Sequence, residues 1–195
     1  INTGLVSYFV LLNIQSYFYG IIIIMILKRN MKLNQYLFIL YPGEYFVSGD
    51  DVIISTVLGS CVSVCLFDPV SRIGGMNHFM LPQDVEINEK KIYTSKTQYG
   101  IFAMDMIINE SLKKGASKKN LQAKLFGGLF DEESRFQVGK NNIDFARKYL
   151  SLENIPIVSE SIGGLDARKI YFYPHTGKTL VKKISNQNRI VEKIK

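Results

Sequence analysis

The spacing of hydrophobic and polar positions changes character twice along the chain. From Ile1 to Leu27 no charged residue occurs. Leu5 to Leu27 is about as long as a bilayer-spanning helix and is followed by Lys28, Arg29 and Lys32, an order that would leave the rest of the chain in the cytoplasm. Ser7, Asn13, Gln15 and Ser16 break the run, the chain opens on Ile, and a more ordinary sequence starts at Met31. Residues 1–30 therefore read as an apolar N-terminal extension, either upstream translation or a membrane anchor. With no cation before the run and no small-residue site closing it, a cleaved secretory signal is disfavoured.

Beyond Met31 the rhythm becomes that of alternating strands and helices. Tyr36 to Tyr41 is a short apolar run stopped by Pro42 and Gly43. Val52 to Leu58 and Val62 to Phe67 are rich in β-branched residues, separated by Gly59 and Ser60, and Asp68-Pro69 ends the second. Ile101, Met104, Ile108 and Leu112 recur at helical spacing ahead of Gly115. Ile143, Ala146 and Leu150 mark a second amphipathic helix, with Asn141 or Asn142 as its cap. Leu121 to Phe126, Ile155 to Val158, Ala167 to Tyr173 and Thr179 to Ile184 read as further strands, the last two joined as a hairpin across Pro174, His175, Thr176 and Gly177. Neither an internal repeat nor a linker follows Met31. The expectation is a single α/β domain over residues 31–184, followed by a basic tail at 185–195.

Composition narrows the class without naming a chemistry. Of 195 residues, 47% are hydrophobic and 21% charged, which excludes a disordered or low-complexity chain. The formal charge of +7 is unevenly placed: from Lys178 onward, Lys178, Lys182, Lys183, Arg189, Lys193 and Lys195 face a single acid, Glu192. Charge gathered at one terminus reads as a solvated tail and not as a nucleic-acid surface. The two cysteines are Cys61 and Cys65. On one strand, at about 3.3 Å per residue, their Cα atoms stand roughly 13 Å apart, beyond the ~7 Å limit for a disulfide. Free thiols suit a reducing, cytoplasmic compartment.

Chemistry-bearing side chains are few. Cys61, Cys65, His78 and His175 are the only cysteines and histidines, and their spacing matches none of the paired zinc patterns, so no metal is expected. Neither a phosphate loop nor a Gly-x-Ser-x-Gly elbow is present, and no cofactor is implied. The segment Ser55-Thr56-Val57-Leu58-Gly59-Ser60-Cys61 is more informative. Gly59 and Ser60 permit a tight turn that leaves Cys61 at the start of a buried strand, on the face opposite Val62, Val64 and Leu66. A cysteine nucleophile needs thiolate character, which a paired imidazolium stabilises before passing its proton to the leaving group. His78, in Gly74-Gly75-Met76-Asn77-His78-Phe79, is the candidate partner, and the paired glycines before it allow close approach to another segment. On spacing alone, a small buried cysteine and a core histidine remain the more economical account of both residues. Cys65 reads as a packing residue, and His175 as a solvated turn residue.

Longer stretches alter that balance. Leu58-Gly59-Ser60-Cys61-Val62, then Gly75-Met76-Asn77-His78-Phe79 with Leu81-Pro82, resemble the chemoreceptor glutamine deamidase family of bacterial chemotaxis, CheD. The likeness continues in order through Tyr99-Gly100, Lys124-Leu125-Phe126-Gly127-Gly128, Val138-Gly139-Lys140-Asn141-Asn142, Ile162-Gly163-Gly164, Arg168-Lys169 and Thr176-Gly177-Lys178. It covers about Tyr36 to Ile184. The resemblance implies an α/β sandwich with a mixed, mostly antiparallel sheet and two main helices, hydrolysing selected receptor glutamines to glutamate with release of ammonia. It puts the nucleophile at Cys61 and the histidine at His78. The family's third group, a threonine, falls on Ser55 with Thr56 beside it, and either hydroxyl could orient the imidazole. Leu129, where the family tends to have a small residue, and Glu160-Ser161 depart from its pattern. The chemistry would place an oxyanion against backbone N–H groups near Gly59, Ser60 and Cys61. Methyl-accepting chemoreceptors are the implied substrates and a CheC-type phosphatase a further partner, with membrane contact through the receptors or residues 1–30. Two other classes share these residues: a non-catalytic adaptor binding such a phosphatase, and a cysteine peptidase.

Overall fold

The computed structural model describes residues 26–30, 35–83, 92–133 and 137–185. Its architecture follows from the run Val62 to Phe67. A strand that is apolar at almost every position has to be covered on both faces, and β5 (Val62–Asp68) is buried along nearly its whole length. It is the middle strand of a sheet that also holds β3 (Tyr45–Ser48), β6 (Ile73–Asn77), β7 (Gln122–Gly127) and β8 (Ile157–Ile162), in the order β3-β6-β5-β7-β8. On one face Val62, Val64 and Leu66 pack against Met104 and Ile107 of α1 (Gln98–Lys113) and Ile143 and Ala146 of α2 (Val138–Leu152). Cys65, Met76 and Phe126 look the other way, towards a second sheet that supplies Ile54, Leu58, Ile170 and Phe172. That sheet has the order β1-β2-β4-β9-β10, from β1 (Ile26–Asn30), β2 (Gln35–Ile39), β4 (Ile53–Leu58), β9 (Ala167–Tyr173) and β10 (Lys178–Ile184). The layers therefore run sheet, sheet, helices.

Pairing is antiparallel except between β2 and β4 and between β7 and β8. This is the mixed, mostly antiparallel α/β arrangement with two helices expected from the sequence, divided between two sheets. In β9 the burial alternates, with Arg168, Ile170 and Phe172 turned inward, as a strand covered on one face requires. Two details depart from expectation. β3 and β6 carry no strand signal, because Ile73-Gly74-Gly75 lacks the side chains that mark one; they pair because the rest of the sheet is already in place. Helix α2 begins at Val138 with Gln137 in the cap position, so neither Asn141 nor Asn142 caps it.

Ile26–Asn30 pairs antiparallel with β2, which makes the last residues of the expected extension an edge strand. The anchor reading of residues 1–25 and the basic tail from residue 186 fall outside the described residues. No helix among the described residues is long and apolar enough to cross a membrane.

Candidate active site

Strand β4 alternates Ile54, Thr56 and Leu58 towards the inter-sheet core with Ile53, Ser55 and Val57 on its other face. Thr56 is thereby delivered to the facing sheet, and Ser55, one residue earlier, is turned away. The Thr56 hydroxyl donates to the Leu40 carbonyl at 2.8 Å and lies 2.8 Å from His78 Nδ1. Of the two candidate hydroxyls the structure brings Thr56 to the imidazole. The position that the resemblance matched to the family's threonine, Ser55, does not reach it.

The Thr56 contact also assigns the imidazole's proton. A hydroxyl has one hydrogen, and here it is committed to Leu40, so Thr56 Oγ1 can only accept from His78. Nδ1 then carries the ring proton and Nε2 keeps its lone pair. Nε2 is buried and has no hydrogen-bond partner among the described residues. Burial pushes the imidazole down to about 4, with the nearby Leu40 carbonyl offsetting part of the effect. The ring is therefore neutral at physiological pH, with Nε2 as its buried acceptor.

Cys61 stands at the end of the Gly59-Ser60 bend, immediately before β5, and is partly exposed. The β5–β6 register continues past β6 as an antiparallel bridge from Val62 to Phe79, closed by both backbone bonds at 3.0 Å. Cys61 and His78 lie diagonally across that bridge on the same face, a separation of roughly 7–8 Å between backbones that side chains can span. The backbone of His78 is held on both sides, donating to the Glu44 carbonyl at 2.9 Å and accepting from Gly43 N–H at 2.7 Å. Burial pushes the Cys61 thiol up, and its own backbone N–H offsets this in part. Both shifts favour uncharged forms, so the resting pair is a thiol and a neutral imidazole, in place of the thiolate and imidazolium that a cysteine–histidine pairing suggests from sequence. Such a pair can still react by passing the thiol proton to Nε2 as the sulfur attacks.

Several residues around the site had no such role assigned from the sequence. Asn77 is fully buried and enters the β5–β6 ladder: Oδ1 accepts from Val64 N–H at 2.8 Å, Nδ2 donates to the Ala103 carbonyl at 3.0 Å, and its own carbonyl accepts from Ser63 Oγ at 2.5 Å. Asn142 of α2 donates to the Ser60 carbonyl and accepts from Leu81 N–H, both at 2.8 Å. Tyr99, in the first turn of α1, stands near Cys61 and Glu44, and burial followed by those two acidic groups pushes its phenol up. Its hydroxyl fills the space a Cβ at Gly43 would need, and Gly43 has φ +95°. The available signal was a buried-type amide within a few residues of each motif, which composition and periodicity do not rank. Cys65, by contrast, packs as expected in the inter-sheet core, where burial pushes its thiol up. His175 lies in the β9–β10 turn, its Nδ1 3.5 Å from Asp51 Oδ1 and its side chain 24% exposed, so it is less solvated than expected.

Residues 80–183 match the family model described as CheD chemotactic sensory transduction. The chain is 46% identical over 149 residues to a curated protein of Methylobacillus flagellatus, which covers 75% of this chain and 73% of that one. It is also 46% identical over 156 residues to a protein of Janthinobacterium sp. (strain Marseille), covering 78% and 76% of the two. A protein of Cupriavidus metallidurans is 40% identical over 154 residues, 78% of this chain and 70% of its own length. All three bear the name "Probable chemoreceptor glutamine deamidase CheD".

Proposed function

The chain belongs to the CheD family, and from that premise we propose that it is a chemoreceptor glutamine deamidase in which Cys61 is the nucleophile and His78 the acid–base. The observation that carries this reading is the buried Nε2 of His78, which has no hydrogen-bond partner among the described residues, while Thr56 lies against Nδ1. A buried lone pair with no structural bond to make is available for a substrate or a thiol.

The reaction runs in two stages. As the Cys61 sulfur adds to the carboxamide carbon of a glutamine side chain, the thiol proton passes to His78 Nε2 and the carbonyl oxygen becomes an oxyanion facing the Ser60 and Cys61 N–H groups. Collapse breaks the C–N bond, and the imidazolium returns its proton to the departing nitrogen, which leaves as ammonia. Water then gives a proton to Nε2 while its oxygen adds to the thioester carbon. The C–S bond breaks, the sulfur recovers the proton, and glutamate is released. Each new glutamate brings one negative charge and one carboxylate open to methylation. Free thiols at Cys61 and Cys65 agree with a cytoplasmic location, where the signalling parts of receptors lie.

Purified chain incubated with a methyl-accepting receptor should release ammonia and convert selected glutamines to glutamates, read as the replacement of an NH2 by an OH in peptide masses. Cys61→Ala should abolish both. Undiminished release from that variant would remove Cys61 from the mechanism, and cleavage of the receptor chain in place of deamidation would mark a peptidase.

A further inference from the structure

Asn142 is fully buried on α2, yet its side chain serves two other segments. Nδ2 donates to the Ser60 carbonyl and Oδ1 accepts from Leu81 N–H, each at 2.8 Å. One partner can only accept and the other can only donate, so the orientation of the amide is determined. Its two ends thus tie the turn before the nucleophile to the chain just past His78.

The three carbonyls of that turn are all engaged. Gly59 accepts from Leu129 N–H at 2.8 Å and Cys61 from Gly128 N–H at 2.7 Å, while Ser60 is held by the Asn142 side chain. In a planar trans peptide the N–H points opposite to the C=O. Holding the Ser60 carbonyl towards α2 therefore aims the Cys61 N–H away from it, and holding the Gly59 carbonyl aims the Ser60 N–H likewise. The Cys61 N–H belongs to the same residue as the sulfur, which makes it the donor beside the attacking atom. We infer that Asn142 is a positioning residue: it sets the Ser60–Cys61 peptide so that the Cys61 N–H meets the oxyanion formed when the sulfur adds to an amide carbon. The inference rests on the deamidase reading above.

The test compares two reactions of one thiol in the full chain. Deamidation passes through an oxyanion, whereas alkylation of Cys61 by iodoacetamide is a displacement at a saturated carbon and does not. Asn142→Ala is expected to lower deamidation kcat about 100-fold with KM little changed, while the alkylation rate, mapped to Cys61 by mass spectrometry, stays close to that of the unaltered chain. Parallel loss of both rates would overturn the inference, because Asn142 would then support only the thiol or the fold. Undiminished deamidation would overturn it as well. If Asn142→Ala melts below the assay temperature, Asn142→Asp decides. Its carboxyl keeps the acceptor for Leu81 N–H and donates to the Ser60 carbonyl only while protonated. Its ratio of deamidation to alkylation, relative to the unaltered chain at the same pH, should fall as pH rises, and a flat ratio would count against the inference. An unaltered chain that alkylates at Cys61 but releases no ammonia from receptor would sink the deamidase reading itself, and this inference with it.

Discussion

At the scale of single residues, the Thr56 hydroxyl governs where the imidazole proton sits. Thr56→Val removes the acceptor for Nδ1–H and leaves the ring free to adopt the wrong tautomer. A kcat loss of about 10²–10⁴-fold with little change in KM is expected. Thr56→Ser should recover most of it, and Ser55→Ala, on the far face of β4, should not lower kcat; steady-state kinetics on a receptor substrate separates the three. His78 makes a second prediction, about pH. Its folded pKa near 4 lies below the ordinary 6.5, so between those values the unfolded chain holds a proton that the folded chain does not. The contribution of the neutral buried ring is complete above pH 6.5 and is lost as pH falls towards 4. Thermal melts across that interval should show a flatter pH dependence for His78→Asn than for the unaltered chain. The same depression puts the acid limb of kcat/KM near pH 4, and alkylation of Cys61 should rise with a midpoint above that of an ordinary thiol.

Among the elements, β6 shows how neighbours supply what the local sequence lacks. Ile73-Gly74-Gly75 has little strand propensity, but β3 and β5 bond it on both sides. Its last residue, Asn77, substitutes side-chain bonds for ladder bonds and links β5, β6 and α1. His78 follows directly, so the amide that closes the strand also positions the imidazole. Asn77→Ala would leave Val64 N–H buried without its partner and remove the side-chain bond to the Ala103 carbonyl, which keeps its helical one. It should cost about 1–3 kcal/mol, seen in urea titration as a lower midpoint with an unchanged slope. Periodicity could mark β5 and α1 because their side chains carry the pattern. It could not mark β6, where the pairing is imposed from outside, or the start of α2, where Asn142 bonds to Ser60 and Leu81 instead of capping its own helix.

For the whole molecule, the site depends on how closely two sheets approach. Thr56 comes from one sheet, and Cys61 and His78 from the other, so their geometry is an inter-sheet distance. Gly74 keeps that distance short: a Cβ there would meet the Pro174 carbonyl oxygen at 2.6 Å and Phe172 Cζ at 2.9 Å. Pro174 is met at its backbone, which cannot swing aside as a flexible side chain can. Gly74→Ala should destabilise the fold by about 1–3 kcal/mol and reduce deamidation beyond the loss of folded protein, because it separates Thr56 from His78. Calorimetry alongside activity per folded molecule checks both parts.

Much of this was decided by neighbours along the chain. The run Val62 to Phe67, apolar at every position but Ser63, required a strand covered on both faces. Ala167 to Tyr173 read as a strand, and Gly59-Ser60 before Cys61 marked a tight turn. Such features are local because strand and helix periods are properties of consecutive residues. Which of Ser55 and Thr56 serves the imidazole was not local. Adjacent positions on a strand face opposite ways, and only the packing of the second sheet determines which way His78 lies. The protonation of the pair was equally out of reach, since burial sets it and burial belongs to the assembled layers. Asn142, which stands between Ser60 and Leu81 in space and far from both in sequence, acquires its place only when α2 docks.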